Sequence, residues 1–440
     1  MHHVSRFADH VSRFTSHTLY LTPMNILYIT PYVPSQIRTR PYNLIRALVR
    51  MGHKITLLTA ANTSAHDLEQ ADELRAWGMH VEAFPVPLAR SLSNCLRALP
   101  TREPLQAVYA YLPGMEHRLG ELLGNGGFDV VHIEHLRAAR LVWAISKTNG
   151  IPAVYDSVDC ISLLFEQAAQ RGAQLRSRLM AALDLARTRR YEAQLLTQYN
   201  HVVVTSQRDK DALEKLAHRY LPPQTQAAPI TVVTNGVDLE YFRPQEIQIP
   251  KPKTQSRTVV FTGKMSYHAN IAAVLYFARD VLPHIWKRDP NVRFQIVGKD
   301  PPEAVQQLAA DERIQVTGTV ADLRPYLAQA TVAVCPALYA VGIQNKVLEA
   351  MAMSTPVVST SAGCAALTAE EGQAVLTADG AEELAAAILL VLSDPTLAER
   401  LSTAGRRYVE THHSWEAGAQ RLVDIYGETR TRHTNVTSHA

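Results

Sequence analysis

The sequence predicts an α/β protein made of two Rossmann-like, doubly wound domains that face one another across a cleft. Short apolar runs rich in β-branched residues recur along the chain, and segments with helical periodicity separate them. This alternation is interrupted at residues 240–256 by a polar, Pro-rich stretch that is typical of a linker. The 440 residues are also enough for two domains of ordinary size.

The first domain, residues 24–239, opens with a βαβ unit. A strand at Ile26–Thr30 precedes a helix at Pro41–Met51, which has Pro in its first turn and Gly52 just past its end. A second strand follows at Lys54–Thr59, and such units are right-handed and parallel. Further strands are predicted at Val81–Phe84, Val130–Glu134, Ala153–Asp156, Val202–Thr205 and Ile230–Val233.

The second domain, residues 257–412, repeats the pattern. Its strands are predicted at Thr258–Thr262, Val292–Val297, Ile314–Thr317, Thr331–Cys335 and Val357–Thr360. A helix at Trp415–Tyr426, within residues 413–427, comes next, and we expect residues 428–440 to form a frayed polar tail. Residues 1–23 contain a near-repeat of HVSRF, and we expect a disordered extension before Met24, which could itself be the natural start.

Composition excludes several function classes. A net charge of +3 is too small to predict nucleic-acid binding. The four cysteines form no CxxC pair, which favours reduced thiols in a cytoplasmic protein. No apolar run approaches the ~18 residues of a membrane helix. Membrane contact, at the inner face of the cell membrane, is therefore expected to be peripheral at most.

The strongest candidate site is residues 341–356, VGIQNKVLEAMAMSTP, where a loop becomes a helix after a buried strand. In a doubly wound sheet this is the edge at which ligands bind. Gly342 allows close approach of the backbone, and the free N–H groups of a first helical turn attract anions. Lys346 adds a positive charge, and Glu349, one turn later, could accept hydrogen bonds from two ribose hydroxyls. The pattern predicts a nucleotide-diphosphate site, whereas the alternative is an ordinary helix with a solvated Glu.

Other candidates follow the ends of predicted strands. Gly263 and Lys264 come directly after the strand at 258–262, and Asn270 in the next loop could either bind a phosphate oxygen or cap a helix, which we favour. In the first domain, His135 leaves a strand next to Glu134, in a good position for a catalytic contact. We find no third ligand with metal-site spacing near them.

Two arginine-containing segments have open interpretations. Arg38 and Arg40 lie in a strand-to-helix loop and could reach a phosphate or an acceptor across the cleft, or could simply be solvated. Residues 86–124 mix four arginines with Leu and Tyr, namely Arg90, Arg97, Arg102 and Arg118. That mixture fits an amphipathic surface for an acceptor or a membrane, or a plain solvated helix face, which is slightly favoured.

Two motifs resemble those of a known family. The segment TNGVDLEYFRP, residues 234–244, matches an NGVD-x-x-x-F-x-P pattern, and Glu349 begins an EAMA run. Both resemble glycosyltransferase family 4, of the GT-B fold, over residues 24–427. Val341 stands where the family's first Glu of a pair is usual. The form GIQNK-LEAMA is similar to an exopolysaccharide and exosortase-associated subgroup in which that Glu is also replaced.

The resemblance implies a retaining, metal-independent hexosyltransferase without a cofactor. Its substrates would be a nucleotide sugar bound by the second domain and a glycan or lipid-linked acceptor, in exopolysaccharide or other glycoconjugate biosynthesis. Donor contacts would come from Gly263, Lys264, Asn270, Gly318, Val320, Gly342, Ile343, Gln344, Asn345, Lys346 and Glu349. Lys264, His135 and Glu134 would be catalytic. Two other classes stay open, an inert partner subunit that binds sugar nucleotide or glycan and a GT-B sugar-nucleotide epimerase.

Overall fold

The computed structural model describes residues 22–62, 65–145, 150–171, 175–244, 257–339, 343–367 and 373–437. It contains a seven-stranded sheet of order β3-β2-β1-β4-β5-β6-β7 and a six-stranded sheet of order β10-β9-β8-β11-β12-β13. Neighbouring strands are parallel in both sheets. The predicted α/β fold with two doubly wound domains is confirmed, since both sheets reverse their strand order beside the first strand.

The first sheet is built from strands in the N-terminal half of the chain. They are β1 (Asn25–Thr30), β2 (Lys54–Ala61), β3 (His80–Pro85), β4 (Val130–Glu134), β5 (Ala153–Val158), β6 (His201–Val204) and β7 (Ile230–Val232). Its helices are α1 (Thr39–Arg50), α2 (Ala65–Ala76), α3 (Leu88–Ala98), α4 (Leu105–Tyr109), α5 (Pro113–Gly124), α6 (Leu136–Ala139), α7 (Val142–Ile145), α8 (Ile161–Arg171), α9 (Leu175–Leu195) and α10 (Gln207–Tyr220).

The second sheet follows residues 245–256, which lie outside the described ranges. Its strands are β8 (Thr258–Thr262), β9 (Arg293–Val297), β10 (Ile314–Gly318), β11 (Val332–Cys335), β12 (Val357–Ser359) and β13 (Leu376–Thr377). Its helices are α11 (His268–Tyr276), which continues as a π-helical turn at Phe277–Val281, α12 (Leu282–Trp286), α13 (Glu303–Gln306), α14 (Arg324–Gln329), α15 (Asn345–Ala352), α16 (Ser361–Cys364), α17 (Ala381–Ser393) and α18 (Pro395–His412). A 3₁₀ turn at Gln307–Ala310 follows α13.

The last helix, α19 (Trp415–Thr437), packs on the first sheet rather than on the second. Trp415 and Tyr426 lie in the same hydrophobic core as Tyr28 of β1. The helix does not end at Tyr426, so the expected tail at 428–440 is helical as far as Thr437. Thr429, beyond Tyr426, is buried, so the packing of the helix continues past the predicted end.

The start of α15 contacts the first domain. The Asn345 side chain donates a hydrogen bond to Thr39 Oγ1 over 3.0 Å, and Asn235 Nδ2 lies 3.4 Å from Asn345 Oδ1. Thr39 begins α1, directly after the β1 loop, and Asn235 follows β7. These bonds therefore hold the carboxyl edges of the two sheets toward one another, with a cleft between them.

Candidate functional site

Two glycines make room at the carboxyl edge of the second sheet. Gly263 directly follows β8 and Gly298 directly follows β9, and both have positive φ, 153° and 156°. A Cβ on Gly298 would lie 1.8 Å from the Gly263 carbonyl oxygen, so no larger residue fits there. A Cβ on Gly263 would lie 2.8 Å from Asn270 Nδ2 and 3.5 Å from Lys346 Cε. The predicted residues Gly263, Asn270 and Lys346 are therefore brought together.

The loop from β8 to α11 presents one cation. The Lys264 side chain is exposed and has no ion-pair partner among the described residues. Asn270 is buried, and its Nδ2 donates a hydrogen bond to the Lys264 carbonyl over 2.9 Å. The prediction that Asn270 caps the helix is wrong, because Tyr267 occupies the N-cap position and Asn270 lies inside α11. Asn270 instead fixes the loop that carries Lys264.

The first turn of α15 begins later than the sequence suggests. Gln344 is the N-cap residue, and it makes no side-chain capping bond. The Val347 N–H already donates to the Gln344 carbonyl over 2.9 Å, so the N–H groups of Asn345 and Lys346 are the ones that this helix start offers to an anion. Ile343 is buried in the core, and the Asn345 amide is engaged with the first domain. Gly342 and Val341 lie outside the described residues.

Lys346 and Glu349 carry the strongest polar chemistry of α15. Lys346 Nζ donates to Gln344 Oε1 over 3.1 Å and lies 5.5 Å from the centre of the Phe261 ring. Glu349 is half-buried, and no described side chain donates a hydrogen bond to its carboxylate. Burial raises the Glu349 pKa to about 7, and the Lys346 charge acts in the opposite direction. A half-buried carboxylate with unused acceptors is suited to binding a pair of hydroxyls.

At the end of β10, Gly318 has φ 68° and follows a register shift in the β9–β10 pairing. Space remains open around its Cα, since a Cβ there would meet no atom within 4 Å. Val320 is partly buried and packs against the core beneath α15. Gly318 and Val320 thus lie at the same edge of the sheet as Gly263, with open space beside Gly318.

His135 stands at the carboxyl edge of the first sheet in a strained conformation. Its φ of 70° is unusual for a residue with a Cβ, and strain of this kind clusters at functional sites. Burial and the Arg137 charge lower the His135 pKa to about 3. The Arg137 N–H donates to His135 Nδ1 over 3.2 Å, so the neutral ring carries its proton on Nε2. The Nε2–H group of His135 therefore remains as a hydrogen-bond donor, and no described protein group accepts from it.

Glu134 does not reach the cleft, and the prediction that it touches a substrate is wrong. Its carboxylate is fully buried and accepts hydrogen bonds from the Tyr28 and Tyr32 hydroxyls, each over 3.0 Å. Side chains alternate along a strand, so Glu134 shares the inner face with His132. Burial and the nearby Asp156 raise the Glu134 pKa. Glu134 is a structural partner beneath the site.

Arg40 is also internal, which contradicts its predicted contact with a phosphate or an acceptor. Its Nη2 lies 2.7 Å from Asp156 Oδ2, and its Nη1 donates to the Val233 carbonyl and to Asn235 Oδ1. Arg40 therefore ties α1 to the ends of β5 and β7. Arg38 remains partly exposed, where its Nη1 donates to the Val33 carbonyl and its guanidinium lies 4.8 Å from the centre of the Tyr32 ring.

Two polar groups at this edge were not identified as candidates from the sequence. Arg137 stacks on Tyr109, with its Cζ 5.3 Å from the ring centre, and its Nε donates to Gln106 Oε1 over 2.8 Å. Asp159 follows Val158, whose φ of 64° is strained for a β-branched residue. Burial and the Asp209 charge raise the Asp159 pKa. Both residues come shortly after a predicted strand, and this position in the sequence could have identified them as candidates.

A cavity of about 690 Å³ lies between the two domains. Glu166, Gln167 and Arg208 line it from the first domain, and Thr360, Ser361 and Asp379 line it from the second. None of the predicted donor residues lines this cavity. In the described ranges, no three His, Cys, Asp or Glu side chains are grouped as metal ligands would be.

Comparison with known proteins identifies both halves of the chain. Residues 37–236 match the model described as "Glycosyl transferase 4-like domain", and residues 256–394 match "Glycosyl transferases group 1". Together the two matches cover more than three quarters of the chain. The chain belongs to the GT-B glycosyltransferases. The glycosyltransferase family expected from the two motifs is thereby confirmed, whereas its exopolysaccharide and exosortase-associated subgroup remains a prediction.

Relatives of this GT-B chain act on different substrates. The "Alpha-maltose-1-phosphate synthase" of Mycobacterium tuberculosis is 29% identical over 45% of this chain, and the match spans 56% of its own length. The "Lipopolysaccharide core biosynthesis mannosyltransferase LpcC" of Rhizobium leguminosarum is 27% identical, over 66% of this chain and 79% of its own. The first curated relatives are thus matched over about half of their length.

Solved structures match the whole fold. Anabaena HepE in complex with UDP and glucose aligns with a TM-score of 0.65 at 15% sequence identity, over 92% of this chain and 99% of its own. At this identity the likeness concerns the fold. The GT-B architecture, and with it the cleft between the two carboxyl edges, is therefore shared.

Proposed function

We propose that the protein is a retaining, metal-independent glycosyltransferase that moves a sugar from a nucleotide-diphosphate sugar to a glycan or lipid-linked acceptor. Its two glycosyl transferase domains and the UDP-bound state of HepE support the donor class. The motif GIQNK-LEAMA supports exopolysaccharide or other glycoconjugate biosynthesis as its role. Its free cysteines support a cytoplasmic location.

One observation carries this proposal. Lys346 and Glu349 lie one turn apart at the start of α15, beside the space that the glycine at 263 leaves open. A cation next to first-turn N–H groups fits a diphosphate, and a half-buried carboxylate with unused acceptors fits ribose hydroxyls. The exposed Lys264 lies at the end of the neighbouring strand β8. The chemistry required by a nucleoside diphosphate is thus gathered at one sheet edge.

The difficult step of the reaction is departure of the nucleoside diphosphate while positive charge builds on the sugar ring. Lys264, Lys346 and the N–H groups of α15 would stabilise the leaving phosphate, and preorganised donors of this kind are worth about 3 kcal/mol each. His135, neutral with its proton on Nε2, would bind a sugar or acceptor hydroxyl. The leaving phosphate would take the acceptor proton. Closure of the two domains on the substrates would exclude water.

Calorimetry with UDP, GDP and ADP tests the proposal. One diphosphate should bind to the full chain, and Glu349→Ala and Lys346→Ala should each weaken it at least tenfold, which corresponds to about 1.4 kcal/mol. Lys287→Ala and Glu399→Ala change exposed residues of the same types elsewhere in the second domain, and they should leave the affinity unchanged.

Each outcome of this experiment is informative. If no diphosphate binds, α15 is structural and the proposal fails. If a diphosphate binds tightly but donor sugars are neither hydrolysed nor transferred, the protein is an inert binding subunit. If donors interconvert without any acceptor, it is an epimerase. Transfer with the sugar anomer preserved, measured by NMR of the product, supports the retaining transferase.

A further inference from the structure

A row of exposed leucines marks one helix of the first domain. Leu88, Leu92, Leu96 and Leu99 are each 52–66% exposed. They recur at helical spacing along α3 and its C-cap, so they form one continuous apolar stripe, which we name the leucine ridge. Single exposed leucines are ordinary on a protein surface, but an aligned stripe indicates an interaction surface.

Positive charge accompanies the leucine ridge. Residues 86–102 contain three arginines, Arg90, Arg97 and Arg102, and no acidic residue. Within the part of the chain that the structure describes, none of these three forms an ion pair. Apolar side chains on one side of a helix and unpaired cations on the other are the features of a helix that lies in the interface of an anionic membrane.

The ridge is joined rigidly to the candidate catalytic edge. Asn94, on the buried side of α3, donates from Nδ2 to the Val108 carbonyl of α4 over 3.0 Å. From α4, Gln106 accepts a hydrogen bond from Arg137, and the Arg137 N–H binds His135. These contacts connect α3 through α4 to the segment that carries His135.

We propose that the leucine ridge is a peripheral docking surface for a membrane that contains anionic lipids. A second copy of the chain is a poorer occupant, because a two-fold contact would set this segment against itself, and residues 86–102 contain no acidic residue to pair with the arginines. With the proposed function, which this step assumes, docking would bring a lipid-linked acceptor to His135 and Arg137.

The experiment is flotation of the full chain with vesicles of phosphatidylcholine alone and of phosphatidylcholine mixed equally with phosphatidylglycerol. Binding to the mixed vesicles is expected, with weaker binding in high salt and little binding to phosphatidylcholine alone. The variant Leu92→Ser with Leu96→Ser should lower the partition coefficient at least tenfold. Arg90→Gln with Arg97→Gln should lower it severalfold, and this effect should disappear in high salt.

Matched controls come from the second domain. Leu390→Ser changes a leucine that is 51% exposed on α17, and Arg288→Gln with Arg400→Gln changes exposed arginines. These controls should float as the wild type does. The ridge changes are at solvent-exposed positions, so thermal unfolding should show that the variants remain folded.

Two results would overturn the docking surface. One is equal flotation of the wild type and the leucine variant. The other is a dimer of the wild type in light scattering that the leucine variant abolishes, which would assign the ridge to self-association. Nucleotide affinity, measured on the same variants, should not change. A loss of vesicle binding is thus separated from a failure of the nucleotide site.

Discussion

At the scale of single residues, Glu349 leads to a testable prediction of how stability and nucleotide affinity depend on pH. Its pKa is raised from 4.5 to about 7, mainly by burial. The group therefore makes the free energy of unfolding fall as the pH rises from 4.5 toward 7. Bound ribose hydroxyls would donate to the ionised carboxylate and stabilise it. Burial in the folded protein thus disfavours the ionised form of Glu349, which is the form that a bound ribose requires.

Nucleotide affinity should consequently rise with pH up to about 7 and level off above it. Below pH 7 the protonated Glu349 must lose a proton before it accepts two hydrogen bonds, so affinity should fall by up to tenfold per pH unit. Calorimetry in buffers of different ionisation enthalpy will count the protons released on binding.

The variant Glu349→Gln is the control, because it keeps the titration of the nucleotide phosphate and removes that of the carboxyl group. The difference between the two pH profiles isolates Glu349. Identical profiles would show that this residue does not contact the ligand in its ionised form.

Arg40 shows what a sequence does not reveal about a residue. Its loop position suggested an exposed contact, yet it is buried against Asp156 and two groups that follow β7. The partners lie more than one hundred residues away in the chain. Burial of a polar side chain depends on such distant partners, so local pattern cannot distinguish Arg40 from Arg38. Glu134 was misassigned for the same reason, since its tyrosine partners come from β1 and its following loop.

At the scale of elements, much more was predictable. Most strands were located within one or two residues, because buried parallel strands are short runs of β-branched residues. The strand β13, with two residues, carries too little pattern to be detected. The extent of α19 depends on packing against the first sheet, which its polar sequence beyond Tyr426 does not display. Gly263, Lys346 and Glu349 were predictable because each follows a strand or opens a helix locally.

The close backbone contact between Gly263 after β8 and Gly298 after β9 leads to a prediction at the scale of elements. Gly298→Ala should lower the free energy of unfolding by about 3 kcal/mol and weaken nucleotide binding, because its Cβ would collide with the Gly263 carbonyl and displace that loop. Chemical denaturation and calorimetry measure the two effects.

Gly120→Ala is the matched control, since Gly120 lies within α5 and an added Cβ there would meet nothing within 4 Å. It should raise the free energy of unfolding by about 0.5–1 kcal/mol. A neutral Gly298→Ala would mean that the two strand ends are further apart in solution than the structure shows.

At the scale of the whole molecule, Asn345 links the two domains through Thr39 and Asn235. It was predicted to bind the donor, whereas its amide contacts the first domain in the structure. These roles give opposite results for Asn345→Ala. If the amide is a link, the change removes about 1 kcal/mol per hydrogen bond from the closed arrangement. The radius of gyration in solution scattering should then increase, while nucleotide affinity changes less than about threefold, because Lys346 and Glu349 remain in place.

The exposed Asn291→Ala is the control for this change, and it should alter neither quantity. An unchanged radius of gyration with a large loss of nucleotide affinity would restore Asn345 to the donor site. The link interpretation has a further consequence for the reaction. Since the bonds join the first turn of α15 to the start of α1, a nucleotide that shifts α15 must also shift the domains. Wild-type scattering should therefore respond to a bound diphosphate, and the Asn345→Ala protein should start more open and close to the same final dimension.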